Sequence, residues 1–208
     1  MNLKTQKDLK KWAALKKPGS TLKSFQEVIF EQQALLAALH NTPQDLRYHP
    51  EGDVWTHTCL VCDAAAIIAE REGLDEDDRL LLLVSSLCHD IGKPTTTVIE
   101  DERISSHKHA PIGAKICRDF LVPFGLEDKI IEAAAILVAE HLFHVSMTAV
   151  SARAAKRFQK RLGSVSFRLL RLLIEADLSG RPPLIYEEPP LLQQMANALN
   201  QVANLKQK

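Results

Sequence analysis

Apolar residues recur along the chain at three- and four-residue intervals, the spacing that gathers them on one face of an α-helix. The pattern predicts helices over about 22–40, 54–72, 79–91, from Pro111 onward, and over 126–144, 151–162, 164–180 and 191–205. The segment VWTHTCLVCDAAAIIAERE is apolar on most sides and should be the central buried helix. Punctuation agrees with the periodicity. Asp53 follows YHPEG as an N-cap, the acids of GLDEDD suit a first turn, and Gly92 with Pro94 forms a stop signal. TTTVIEDERISS is rich in β-branched residues around a central turn and predicts one short β-hairpin near 95–106. The fold class is therefore all-α, a single helical bundle. The first 24 residues carry seven lysines and read as a basic, solvated arm or frayed helix, 1–24. The domain proper runs over 25–181. Residues 182–208 form a Pro-rich connector, RPPLIYEEPP, and an amphipathic helix that covers the core or a partner.

Composition narrows the function classes. A chain of 208 residues, 46% hydrophobic, can bury one substantial core. Lys+Arg and Asp+Glu are both 26, so the overall field suits neither extended nor non-specific nucleic-acid binding. A small anionic ligand in one local pocket is compatible. No stretch approaches the ~20 apolar residues that span a bilayer, and the polar start lacks an apolar signal region; no membrane role is expected and the cytoplasm is the expected setting. Cys59, Cys62, Cys88 and Cys117 fall in helical runs. Cys59-x-x-Cys62 has no second close pair to complete a zinc site, so all four read as reduced core thiols.

Candidate chemistry begins at SLCHDIGKP, residues 86–94. Asp90 follows an apolar run that should lie deep in the core, where an unpaired carboxylate is costly. Asp177 shares a helical face with Leu173, Leu170 and Ser166, again an apolar stripe; pairing with Arg171 or Arg181 is the simpler alternative. His141 continues the buried series Ile130, Ala134, Leu137, with a core histidine bonded to a carbonyl as its alternative and His144 as a competitor three residues on. His57 lies early in the most apolar helix, and His109 just before the Pro-initiated one, where a helix N-terminus favours neutral imidazole. His40, His49 and His107 read as turn or surface residues. A divalent cation, one ion or two, reconciles these positions because it compensates the carboxylates and partners the imidazoles. A His/Asp set accepts Mn, Ni, Co, Mg, Fe or Zn.

His57, the His89–Asp90 doublet and Asp177 resemble the H…HD…D signature of the HD superfamily of metal-dependent phosphohydrolases, and HDIGK resembles its HDIG branch. The resemblance is closer to the HD domain at the C-terminal end of bacterial CCA-adding tRNA nucleotidyltransferases, carried in order by HPEGDVWTHT, LCHDIGKPTTT, SHKHAPIGAKI, LVAEHLFH and EADLSGR. The head domain of those enzymes has no counterpart: the D-x-D at Asp75–Asp77 lies in an acidic helix start without a glycine-rich lead-in, so CCA addition is not expected. The resemblance implies an HD-type helical bundle in which His57, His89, Asp90 and Asp177 hold a first ion. His109 and His141 match the ligands of a second, with Asp90 between the two. It further implies Asp90 and Lys93 as catalytic residues, and Lys93, Arg153 and Arg181 as phosphate contacts; Lys93 also suits a helix C-terminus simply as a charge. The implied activity is a phosphatase or 2′,3′-cyclic phosphodiesterase acting on a nucleotide or small phosphate ester. Two other readings share the residues: a di-iron oxygenase of HD type, and a non-catalytic helical module partnering RNA, including a tRNA-related partner, or a separate nucleotidyltransferase subunit. A phosphate-facing Lys93 favours hydrolysis over both.

Overall fold

A computed structural model describes residues 4–22, 33–101, 103–147, 149–182 and 185–205. The helices are α1 (Gln6–Ala13), α2 (Pro18–Leu22), α3 (Gln33–His40), α4 (Val54–Arg71), α5 (Glu76–Cys88), α6 (His109–Leu121), α7 (Asp128–Glu140), α8 (Phe143–Ser146), α9 (Ala152–Leu162), α10 (Phe167–Ser179) and α11 (Pro190–Leu205). Two short strands, β1 (Thr97–Glu100) and β2 (Arg103–Ser106), pair antiparallel with Thr97 opposite Ser106. The all-α fold with one hairpin is thus as the sequence pattern predicts. Asp101 enters the hairpin turn at φ 47°, a left-handed conformation that aspartate tolerates better than most residues.

The all-round apolar helix, α4, is central and packs on α2, α3, α5 and α10. Asp53 caps it, accepting Thr56 N–H at 2.9 Å, and Asp75 caps α5 through Asp78 N–H at 2.8 Å. The four cysteines are buried and form no disulfide among the described residues, and burial pushes the Cys62 and Cys88 thiols up, so those two remain protonated. No helix among the described residues is long and apolar enough to cross a membrane.

The lysine-rich start is packed rather than solvated. Leu9, Trp12 and Leu22 are fully buried, and Trp12 Nε1 donates to the Pro18 carbonyl at 3.1 Å. α2 lies so close to α4 that a Cβ on Gly19 would sit 1.7 Å from the Cys59 carbonyl oxygen. Arg79 Nε reaches back to the Ala13 carbonyl at 2.7 Å. Lysines dominate the composition of this segment, but three large apolar side chains decide where it goes. The first predicted helix, about 22–40, falls partly outside the described residues; its later part is α3. At the other end, α11 packs against α9 and buries Leu192, Met195 and Val202.

Several boundaries differ from the sequence expectation: α5 covers Glu76–Cys88 rather than 79–91, and α10 begins at Phe167. α6 starts at His109, before Pro111, because Lys108 at φ 65° turns the chain into it. α7 stops at Glu140, and Phe143–Ser146 forms the separate α8.

Candidate metal centre

Five helices bring one site residue each to a common point, or two in the case of α5. His57 comes from the first turn of α4, His89 and Asp90 from the turn after α5, His109 from the start of α6, His141 from the end of α7, and Asp177 from the last turns of α10. His57, His89, Asp90, His141 and Asp177 are at most 2% exposed and His109 is 8% exposed.

A local device sets the imidazoles. His89, His109 and His141 each donate from Nδ1 to the carbonyl three residues earlier: Ser86 at 2.8 Å, Ser106 at 2.7 Å and Val138 at 2.7 Å. For His89 and His141 that carbonyl belongs to a helix end, which otherwise lacks a donor; the bond also helps explain why α7 goes no further. With Nδ1 carrying the proton, a neutral ring presents a bare lone pair at Nε2.

Those Nε2 atoms face Asp90 from two sides. Oδ2 of Asp90 lies 3.3 Å from His89 Nε2 and 3.9 Å from His57 Nε2. Oδ1 lies 3.2 Å from His109 Nε2 and 3.9 Å from His141 Nε2. Asp177 Oδ1 closes the first group, 3.1 Å from His57 Nε2 and 4.0 Å from His89 Nε2. One carboxylate therefore stands between two nitrogen pairs.

A lone pair facing a carboxylate oxygen is repulsive unless a cation lies between them. Burial, reinforced by the neighbouring His89 and His109, pushes His141 down to about 3, so at neutral pH a proton does not supply that cation. Burial alone would raise both aspartates. Lys93 with His89 outweighs it at Asp90, and Arg181 with His57 outweighs it at Asp177, holding both well below the ordinary carboxylate range. With neutral rings the donor set is imidazole nitrogen and carboxylate oxygen, the set a divalent metal takes, and metal binding releases any proton such rings hold. His89 Nε2, His109 Nε2 and Asp90 Oδ1 are buried with no hydrogen-bond partner among the described residues. The residues fit a metal.

The structure adds two residues to the cluster. His49 is not a plain turn residue: it is half-buried, lines the site cavity, and sets its ring edge-on to His57 with centroids 4.7 Å apart. Glu51, 2% exposed at its side chain, has one oxygen 2.9 Å from His49 Nδ1 and 2.6 Å from His57 Nδ1. Burial would raise Glu51, but His49 and His57 outweigh it and hold it at about 2. Burial in turn would lower His57, and Asp177 with Glu51 outweighs it in the upward direction. A carboxylate against the far nitrogen of a ligand imidazole orients the ring and raises its basicity. The HPEGD run advertised an acid near a helix start, but nothing in its spacing linked Glu51 to His57.

A cavity of about 330 Å³ opens onto this cluster, with Asp90, His109, His141 and Asp177 in its wall. Lys93 and Arg181 line it as well. Lys93 Nζ lies 2.7 Å from Asp90 Oδ2 and donates to Gln44 Oε1 at 2.6 Å. Arg181 donates to Asp177 Oδ1 at 2.6 Å, while Arg171 pairs with Glu188 instead. Tyr48 and Val145 give the mouth an apolar edge. His144 lines the cavity but joins no ligand grouping among the described residues, whereas His141 groups with Asp90 and His109. Arg153 is exposed on α9 and does not line the cavity.

Comparison with known proteins agrees with this geometry. Residues 54–185 match the family model described as HD domain. The chain is 28% identical over 162 residues to a "Multifunctional CCA protein" of Pasteurella multocida, covering 74% of this chain and 36% of that protein. A protein of the same description from Ralstonia nicotianae is 30% identical over 177 residues, covering 82% and 38%. One from Tolumonas auensis is 27% identical over 210 residues, covering 92% and 48%. The chain thus spans between about a third and a half of the length of these relatives.

Proposed function

The chain belongs to the HD domain family, and from that premise we propose that it is a divalent-metal-dependent phosphohydrolase acting on a nucleotide or small phosphate ester. The observation that carries the proposal is Asp90, whose two oxygens face separate imidazole pairs. In this reading His57, His89, Asp90 and Asp177 hold one ion, and Asp90, His109 and His141 a second. A divalent cation at such a site lowers the pKa of water toward about 7 and draws charge from phosphoryl oxygens.

The chain's own groups do the rest. Lys93 Nζ has three donors; Asp90 and Gln44 occupy two, which leaves one for a phosphoryl oxygen where negative charge develops. Arg181 is tied to Asp177 through one nitrogen, and its Nε has no partner among the described residues. It stiffens Asp177 and adds positive potential to the cavity wall. Glu51 holds the His57 ring in the orientation that presents Nε2. Burial of the His/Asp cluster at the cavity wall limits competing water there and strengthens each of these electrostatic contacts.

The test is hydrolysis by the purified chain, with Mn, Ni, Co or Mg, of phosphomonoesters, 2′,3′-cyclic phosphodiesters and nucleotides. Turnover that Asp90→Ala abolishes supports the proposal. Absence of any such turnover under all four metals contradicts it, and bound iron with a redox-dependent visible absorbance would point to oxygenase chemistry instead.

A further inference from the structure

No Asp or Glu occurs between Glu140 and Glu175, and none follows Glu188, although acids equal bases over the whole chain. These acid-free stretches contain α9 and α11, and the two helices pack on each other. Arg153, Lys156, Arg157 and Lys160 are exposed on α9 at i, i+3, i+4 and i+7, a single stripe. Several other arginines pair with acids: Arg71 with Glu175, Arg118 with Glu132, Arg168 with Glu72 and, on α9 itself, Arg161 with Glu140. The four cations of the stripe pair with no acid among the described residues. On α11, the exposed residues Gln193, Asn197, Asn200 and Asn204 recur at i, i+4, i+7 and i+11, and the helix carries no charged side chain.

We propose that the outward faces of α9 and α11 form a binding surface for the sugar–phosphate backbone of a structured RNA. Uncompensated cations attract phosphates by counterion release, and amide side chains serve phosphate oxygens and ribose hydroxyls. An anionic membrane fits less well. The apolar residues of α9, Ala155, Phe158 and Leu162, are buried in the core, so the helix has no wedge to insert into lipid. The surface is local, which is why zero net charge conceals it. The proposal is independent of the hydrolytic reading, since it uses no residue lining the cavity.

The experiment is fluorescence anisotropy of a labelled RNA hairpin with the full chain, repeated over a salt series. Wild type should bind, and Lys156→Gln/Arg157→Gln/Lys160→Gln should bind roughly tenfold more weakly at low salt. The slope of log affinity against log salt should fall by about 2 to 3, from ~0.7–0.9 per lost phosphate contact. Lys7→Gln/Lys11→Gln/Lys16→Gln, an equal change in charge on exposed residues of the other end, should keep the wild-type slope. In parallel, RNA should protect Lys156 and Lys160 of the wild-type chain from acylation while Lys7 stays reactive, a readout that does not depend on the variants folding. No RNA binding at low salt, equal losses in both triple variants, unprotected Lys156 and Lys160, or stronger binding to phosphatidylserine vesicles than to RNA would each overturn the proposal.

Discussion

Replacing Gly92 by alanine tests the link between packing and the metal centre. Gly92 has φ −82° and ψ −14°, which alanine adopts freely, so any effect is steric. A Cβ there would lie 2.3 Å from the His109 carbonyl oxygen and 2.7 Å from the Gly113 nitrogen. Ordinary van der Waals contact begins near 3.4 Å, and the neighbours are helix backbone, so the start of α6 must retreat by about 1 Å. His109 is the first residue of α6, with Nε2 3.2 Å from Asp90 Oδ1. Ligand distances tolerate only about ±0.2 Å, so the site shared by Asp90, His109 and His141 should lose its ion while the His57 side keeps its own. Overpacking of this kind costs about 1–3 kcal/mol, and stiffening the unfolded chain returns about 0.4–1 kcal/mol of it. For a chain of this size each kcal/mol corresponds to about 2–4 °C, so Tm should fall by several degrees. The assay is metal content after dialysis alongside thermal denaturation. Two ions bound, with Tm at or above wild type, would mean that contact of Gly92 with α6 does not hold His109 in place.

Glu51→Ala should weaken ion binding about 10–100-fold by calorimetric titration, with Glu51→Gln in between, because the orienting carboxylate is lost; unchanged affinity in both would remove Glu51 from the centre. Trp12→Ala should cost about 3–5 kcal/mol, and a denaturation curve like wild type would mean that α1 is not part of the folded unit. His141 is held at about 3 against an ordinary 6.5, so the unfolded chain binds this proton first. In chelator its contribution to stability is present above pH 6.5 and lost as pH falls toward 3. His141→Gln should flatten urea-derived stability between pH 7 and 5, and an unchanged slope would contradict the assignment.

The central helices and the site aspartates were legible because each posed a local conflict that periodicity exposes. Asp90 and Asp177 occupy apolar stripes, and His141 continues a run of buried positions. What periodicity does not show is direction. The i to i−3 imidazole–carbonyl bonds that aim His89, His109 and His141 depend on where helices end, and α7 ends earlier than its apolar pattern. Glu51 and His49 were missed because they lie in an irregular turn with no face to read. Their role comes from tertiary contact with His57. The first 24 residues misled in another way, since seven lysines outweigh Leu9, Trp12 and Leu22 in number but not in buried area. Arg153 was assigned to phosphate by resemblance, and its helix instead faces it outward.

The most direct measurement is an anomalous difference map from crystals grown with Mn²⁺. Two peaks are expected, one on each side of the Asp90 carboxylate, the first among His57, His89 and Asp177 and the second beside His109 and His141. A map without density at Asp90, or with manganese only at surface carboxylates, would contradict a metal centre built on Asp90.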